Sequence, residues 1–205
     1  MFKVHLFIVW LTLSLIMPPN QEAPPRMVFF GDSITAGYGI PIEKAFPALI
    51  EAKLKAANKP YEVINAGLSG ETTAGGLNRM DWILRSPPDV FVLELGGNDG
   101  LRGLSLEETE KNLKAMIEKV RAANSEATII LAGMQIPPNL GQDYTSRFRE
   151  LYPKVAKEMN VKLIPFLLDG VGGDPKLNLS DGIHPNEEGH ARVAELVWKF
   201  LKPIV

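Results

Sequence analysis

Cysteine is absent from the chain. That excludes disulfides, thiolate-bound metals and a thiol nucleophile together, and leaves the cellular compartment open. Runs of basic residues are also missing, and the formal net charge is −2 over 205 residues. A nucleic-acid partner is therefore not expected. No serine sits in a G-x-S-x-G elbow, and no glycine-rich loop ends in G-K-[ST]. The ordinary α/β-hydrolase nucleophile and the P-loop are both set aside on that ground. Histidine is scarce, with three in all, so any chemistry that needs an imidazole has few places to find one. What is present is ordinary for one globular domain with a full core: 45% hydrophobic and 22% charged residues.

The longest apolar run lies at the start. Lys3 precedes residues 4–17, which are interrupted only by His5, Thr12 and Ser14. A membrane span needs about 20 apolar residues, and this run is shorter, as in the core of a secretory signal. A polar, proline-rich joint, PPNQEAPP, follows it. Residues 1–25 are thus expected to be a signal peptide or N-terminal anchor with its linker, and residues 26–205 the working domain. Cleavage within 17–25, retention as an anchor, and a true start at Met17 or Met27 all remain open. Export to the periplasm or the medium is the favoured outcome, with no stable membrane span in the mature form. The lack of a lipobox cysteine excludes a lipoprotein.

From Met27 onward, short apolar runs alternate with helical periodicity. Strands are expected at 27–30, 61–65, 89–95, 127–133 and 161–166. Helices are expected at 44–57, 105–124 and 143–159, and from about Asn186 to the end. Pro47 is tolerable only in a first turn, and Pro153 should kink or split its helix. Ser105 and Glu108 read as a capping box. The alternation argues a parallel sheet covered by helices on both faces, a three-layer α/β/α flavodoxin-like fold with strand order 2-1-3-4-5. The residues with unusual chemistry fall in the segments after strands: GDSITAGYG, AGLSGETTAGG, GGNDGLRG and GMQIPPNLG. All four belong at the carboxyl edge of such a sheet.

Ser33 follows the first strand. Its neighbours Asp32 and Ile34 allow a plain turn or an exposed nucleophile. Of the histidines, His5 lies in the leader and His190 reads as a partly exposed helix residue. His184 stands before Pro185, which extends the backbone ahead of the last helix. Asp181, three residues earlier, can orient one ring nitrogen and leave the other as a base, or it can simply shape the loop with Asn186. Serine attack also needs donors for an oxyanion. The Ser33 N–H, a backbone N–H at Gly67 or Gly70, and the Asn98 amide are candidates, although an Asx turn would explain Asn98 equally well. Asp181, His184 and His190 are too few and too badly spaced for a metal site, and no cofactor is expected.

These blocks, in this order, resemble the GDSL, or SGNH, hydrolases. GDS carries Ser33, NAGLSGETT carries a glycine, GGND carries Asn98 and DGIHP carries Asp181 and His184. The resemblance extends from Met27 to Val205. It implies catalytic Ser33, Asp181 and His184, with an oxyanion hole made by the Ser33 N–H, the Gly70 N–H and Asn98. It also implies Gly70 rather than Gly67. VLELGGNDGLRG and SDGIHPN look most like the bacterial multifunctional acyl-CoA thioesterase, lysophospholipase and arylesterase type. Such relatives are exported and cleave acyl esters and thioesters without a metal.

Substrate preference is less legible. Met134, Ile136 and Leu140, with Leu101 and Leu104, can wall an apolar groove for an acyl chain. The partner expected is a small acyl ester or thioester, and the enzyme is expected to be a monomer. Carbohydrate O-deacetylation is the alternative, with Tyr38 and Trp82 the visible aromatics for stacking on sugars. A non-catalytic flavodoxin-like binding module would have to treat all five site residues as coincidence.

Overall fold

The computed structural model describes residues 23–205. The expected export segment lies outside the described residues up to position 22.

The first apolar run forms β1 (Arg26–Gly31). Asp32 then caps a single helical turn, α1 (Ser33–Ala36). The next helix, α2 (Phe46–Ala56), has Pro47 in its first turn, where a missing N–H costs no hydrogen bond. The chain continues through β2 (Glu62–Gly67), α3 (Thr73–Ile83), β3 (Val90–Glu94), α4 (Gly97–Leu101) and α5 (Leu106–Ala123). It ends with β4 (Thr128–Ala132), α6 (Gln142–Glu158), β5 (Lys162–Ile164) and α7 (Glu187–Leu201). The five strands are all parallel in the order β2-β1-β3-β4-β5, as the sequence predicts. Right-handed crossovers in that order put α2 and α7 on one face and α3, α5 and α6 on the other, and the helices pack together in those groups. Central β3 is buried along its whole length, which explains the apolar run Val90–Leu93 and leaves Glu94 as a buried polar residue at its end.

Several local expectations change. The segment after β2 is not all loop: its TTAGG becomes the start of α3, capped by the Thr72 side chain. Gly76 has a packing reason there, since a Cβ would come within 2.4 Å of Leu95 Cδ1. GGNDGL likewise folds as the short helix α4 rather than as open loop. Pro153 does not split α6, which runs unbroken through it. Only half of the Ser105 capping box forms: the serine accepts from the Glu108 N–H, whereas the Glu108 carboxylate turns outward to Lys111.

The largest correction is His190, which is 1% exposed rather than partly exposed. Its Nδ1 accepts the Phe46 N–H at 3.2 Å, and its ring lies nearly parallel to that of Phe46. Phe46 opens α2, whose N-cap, Ala45, offers no side-chain acceptor. A histidine from α7 therefore satisfies a first-turn donor of α2. Burial, reinforced by His184, lowers its pKa from 6.5 to about 4. The unfolded chain gains this proton below pH 6.5, while the folded one refuses it until about pH 4. Stability from this group is therefore complete at neutral pH and lost progressively between those values. Urea unfolding of wild type and His190→Gln at pH 7.5 and pH 5 should show a smaller loss on acidification in the variant. Equal losses would exclude His190 as the source.

Candidate active site

Parallel pairing sets three strand ends side by side. Gly31 of β1 stands in register with Gly67 of β2 and with Glu94 of β3. The turns that leave these strand ends carry Ser33, Gly70 and Asn98. Asp32 ends the extended run, its Oδ1 accepts the Ile34 N–H at 3.0 Å, and this cap starts α1 at Ser33.

The opposite wall comes from the loop before α7. Asn178 and Pro185 form an antiparallel bridge, and the Leu179 N–H donates to the His184 carbonyl at 2.8 Å. Between them the chain reverses at Gly182, whose φ of +75° favours glycine. Asp181 does both things the sequence allows. Its Oδ1 accepts the N–H groups of Ile183 and His184, each at 3.0 Å, and its Oδ2 lies 2.8 Å from His184 Nδ1. Burial alone would raise its pKa, but those N–H groups and the imidazole outweigh it and hold the carboxyl down at about 2. His184 Nε2 lies 2.9 Å from Ser33 Oγ. The Tyr38 ring rests on the imidazole, with centroids 4.6 Å apart.

The glycines differ. The Gly67 N–H is taken by Asn65 Oδ1 at 3.0 Å, and a Cβ at Gly67 would meet the Ala36 nitrogen at 2.2 Å. That residue serves close packing of α1 on β2. Gly70 has a φ of +79°, and Arg102 holds its carbonyl at 2.9 Å. Neither the Gly70 N–H nor the Ser33 N–H has a hydrogen-bond acceptor among the described residues. Asn98 Nδ2 donates to the Glu71 carbonyl at 3.0 Å and to Asp32 Oδ2 at 3.1 Å.

Beneath the site lies a second carboxyl. Glu94 is buried, and its Oε2 accepts the Asp32 N–H at 3.1 Å and is bonded to the Thr35 hydroxyl at 2.7 Å. Burial, and then the nearby Asp32, push its pKa well above the usual carboxylate range. Asp32 is also raised, to about 6, by burial against the pull of the Ile34 N–H, His184, Asn98 and Ser33. Glu94 was not legible as a site residue, because it reads as one polar position in an apolar strand. Arg79 and Glu71 were missed as well. They form an ion pair, and Arg79 also donates to the Ala66 carbonyl at 2.8 Å, tying the segment that carries Gly70 to β2.

Ser33, Asn98 and His184 open on a cavity of about 370 Å³. Leu101, Met134 and Ile136 line it, joined by Phe166, Leu168 and Ile183. Leu104 and Leu140 do not line it; both are exposed, and Leu140 packs toward Gly103 instead. Trp82 is on α3 and exposed, and it does not line the cavity either. Among the described residues, Asp32 and His184 are the only ionisable groups in the lining, with no Lys or Arg.

The model of the GDSL-like lipase/acylhydrolase family matches residues 29–192. Esterase TesA of Pseudomonas aeruginosa is 40% identical over 94% of this chain and 96% of its own length. The thioesterase 1/protease 1/lysophospholipase L1 of Escherichia coli K12 is 37% identical over 100% of this chain and 95% of its own. A crystal structure of TesA superposes with a TM-score of 0.84 at 40% identity, covering 88% of this chain and 99% of that one. The chain belongs to the GDSL-like lipase/acylhydrolase family and is a carboxylic ester hydrolase.

A Cβ on Gly31 would fall 2.2 Å from Thr35 Oγ1, 2.3 Å from Glu94 Oε2 and 2.7 Å from the Glu94 carbonyl. Gly31→Ala should therefore lower unfolding free energy by about 1–3 kcal/mol, as overpacking does. Urea denaturation at neutral pH measures this, and an unchanged midpoint would contradict the packing described.

Proposed function

We propose that this member of the GDSL-like lipase/acylhydrolase family cleaves acyl esters and thioesters through Ser33, His184 and Asp181, by way of an acyl-enzyme. The observation that carries the reading is the hydrogen-bonded run from Ser33 Oγ through His184 to Asp181, opening on an apolar cavity.

His184 Nε2 takes the Ser33 proton as Oγ attacks the acyl carbonyl carbon. Asp181, held ionised by its N–H partners, keeps the Nδ1 proton in place and stabilises the imidazolium. The Tyr38 ring lies tilted against the imidazole. The carbonyl oxygen becomes an oxyanion bound by the Ser33 N–H, the Gly70 N–H and the Asn98 amide. Collapse expels the alcohol or thiol, which receives the proton from His184. Water then attacks the acyl-enzyme, with His184 again the base, and the carboxylic acid leaves.

The cavity favours an uncharged acyl chain. Its walls are Leu101, Met134, Ile136, Phe166, Leu168 and Ile183, with no cation among the described residues to hold a second carboxylate or a phosphate inside. The alcohol or thiol part of the substrate therefore remains toward solvent. The names of the relatives, an esterase and a thioesterase with lysophospholipase activity, are consistent with such acyl substrates. The leader-like run at residues 4–17 supports export, with residues 26–205 as the hydrolase domain.

The test is kcat/KM for wild type and Ser33→Ala on p-nitrophenyl acetate, butyrate, octanoate and palmitate, with an acyl-CoA alongside. Ser33-dependent turnover that rises beyond acetate and includes the thioester is expected. Activity confined to acetate would favour deacetylation, and equal, negligible turnover by both proteins would sink the nucleophile assignment. Asn98→Ala should lower kcat by about 10²–10³, as loss of an oxyanion donor does elsewhere.

A further inference from the structure

A side-chain amide has two faces, and only one is useful to an oxyanion. Turned one way Asn98 presents N–H donors to the cavity, and turned the other way it presents a carbonyl oxygen. Two acceptors decide between them: the Glu71 carbonyl at 3.0 Å and Asp32 Oδ2 at 3.1 Å. The flipped amide would set its oxygen against both. The Glu71 acceptor is main chain, so Asp32 is the side chain through which sequence controls the orientation.

Asp32 is itself held on several sides. It is 2% exposed, its Oδ1 accepts from the Ile34 N–H, and its own N–H donates to Glu94 Oε2. The second Glu94 oxygen, Oε1, is buried with no partner. A bare oxygen in a dry interior suits a neutral carboxylic acid far better than a carboxylate. The negative charge of the pair therefore resides on Asp32, where it strengthens the hydrogen bond from Asn98.

We propose that Asp32 is a positioning residue that acts through Asn98: its Oδ2 holds the amide nitrogen toward the cavity until a developing oxyanion takes over the hydrogen. In the free protein both Asn98 amide hydrogens have acceptors, so one must be handed from Asp32 to substrate as charge builds on the carbonyl oxygen. The Asp32 charge would oppose that oxyanion. The imidazolium formed on His184 in the same step faces Asp32 and offsets it. Glu94 from β3 and Tyr152 from α6 also lie close enough to interact with Asp32, and burial pushes the pKa of each well above its usual value. The inference rests on the reading of Ser33 and Asn98 given above.

A double-mutant cycle in the full chain tests it. Asparagine at position 32 remains a good N-cap, but its single oxygen cannot accept from both Ile34 and Asn98. Serine also caps, and it is too short to reach Asn98. Asp32→Asn should lower kcat by about 10- to 100-fold with KM changed less than about twofold. In an Asn98→Ala background the same change should cost less than about twofold, because interacting residues are not additive. Equal losses in both backgrounds, or no loss in either, would overturn the proposal and leave Asp32 a turn residue. Asp32→Ser repeats the cycle if Asp32→Asn does not fold.

A readout independent of turnover separates this inference from the esterase reading. The Asn98 side-chain NH2 signals, assigned by their loss in Asn98→Ala, should exchange with water more slowly than those of exposed asparagines. They should speed up in Asp32→Ser. Fast exchange in wild type would overturn the positioning role whether or not Ser33 proves to be the nucleophile. Absence of Ser33-dependent turnover would overturn the esterase reading, and with it the role in catalysis claimed for Asp32.

Discussion

Gly31 is flanked in register by Gly67 and Glu94, and the site depends on that triple alignment of parallel strands. Because β1 lies between β2 and β3, three turns leave the sheet at one level. They bring Ser33, Gly70 and Asn98 from distant parts of the chain to one edge. The alignment demands close contact. Gly31 has no room for a side chain against Thr35 and Glu94, and Gly67 has none against the backbone of α1. Small residues at both strand ends thus set how near the Ser33 turn sits to its neighbours.

The second requirement is polar, and it is met by buried groups that bond in relay. Glu94 receives the Asp32 N–H, Asp32 receives the Asn98 amide, and Asn98 also bonds the Glu71 carbonyl. Glu71 in turn pairs with Arg79, whose guanidinium lies 4.0 Å from the centre of the Phe30 ring. Asp99, one residue after Asn98, accepts from the Thr73 N–H at 2.9 Å and so ties α4 to the start of α3. The turns that carry Ser33, Gly70 and Asn98 are held by polar side chains anchored in a strand or a helix, namely Glu94, Arg79 and Asp99. That restricts the donors to a few orientations before any substrate arrives, which is what electrostatic stabilisation of an oxyanion requires.

His184 is supported differently. It stands on an exposed loop, and Asp181, bonding to both the loop backbone and the ring, gives it order. Gly39 lets the α1 side approach, since a Cβ there would meet Leu179 Cδ1 at 2.5 Å. Tyr38 then reaches the imidazole from the same segment. The other domain histidine shows how differently two imidazoles can be used. His190, a few residues along the chain, is buried and bonded to a helix N-terminus, and its lowered pKa keeps it neutral.

The sequence alone determined the sheet order and the residues gathered at its edge. Apolar runs and helical periods repeat locally, and crossover handedness leaves few ways to arrange them. It also offered Ser33, Asn98, Asp181 and His184 as candidates, through the scarcity of imidazoles and the resemblance of these blocks, in this order, to the GDSL hydrolases. Tertiary structure alone decided what depends on distant neighbours. The burial of His190 follows from Phe46 lying opposite it, and periodicity within α7 carries no information about α2. The raised pKa of Glu94 follows from closure of the sheet around it. The direction in which Asn98 points follows from two acceptors, one at position 32 and one at position 71, that no spacing rule connects. Local pattern is set by near neighbours along the chain, whereas protonation and amide orientation are set by whichever atoms folding brings within about 3 Å.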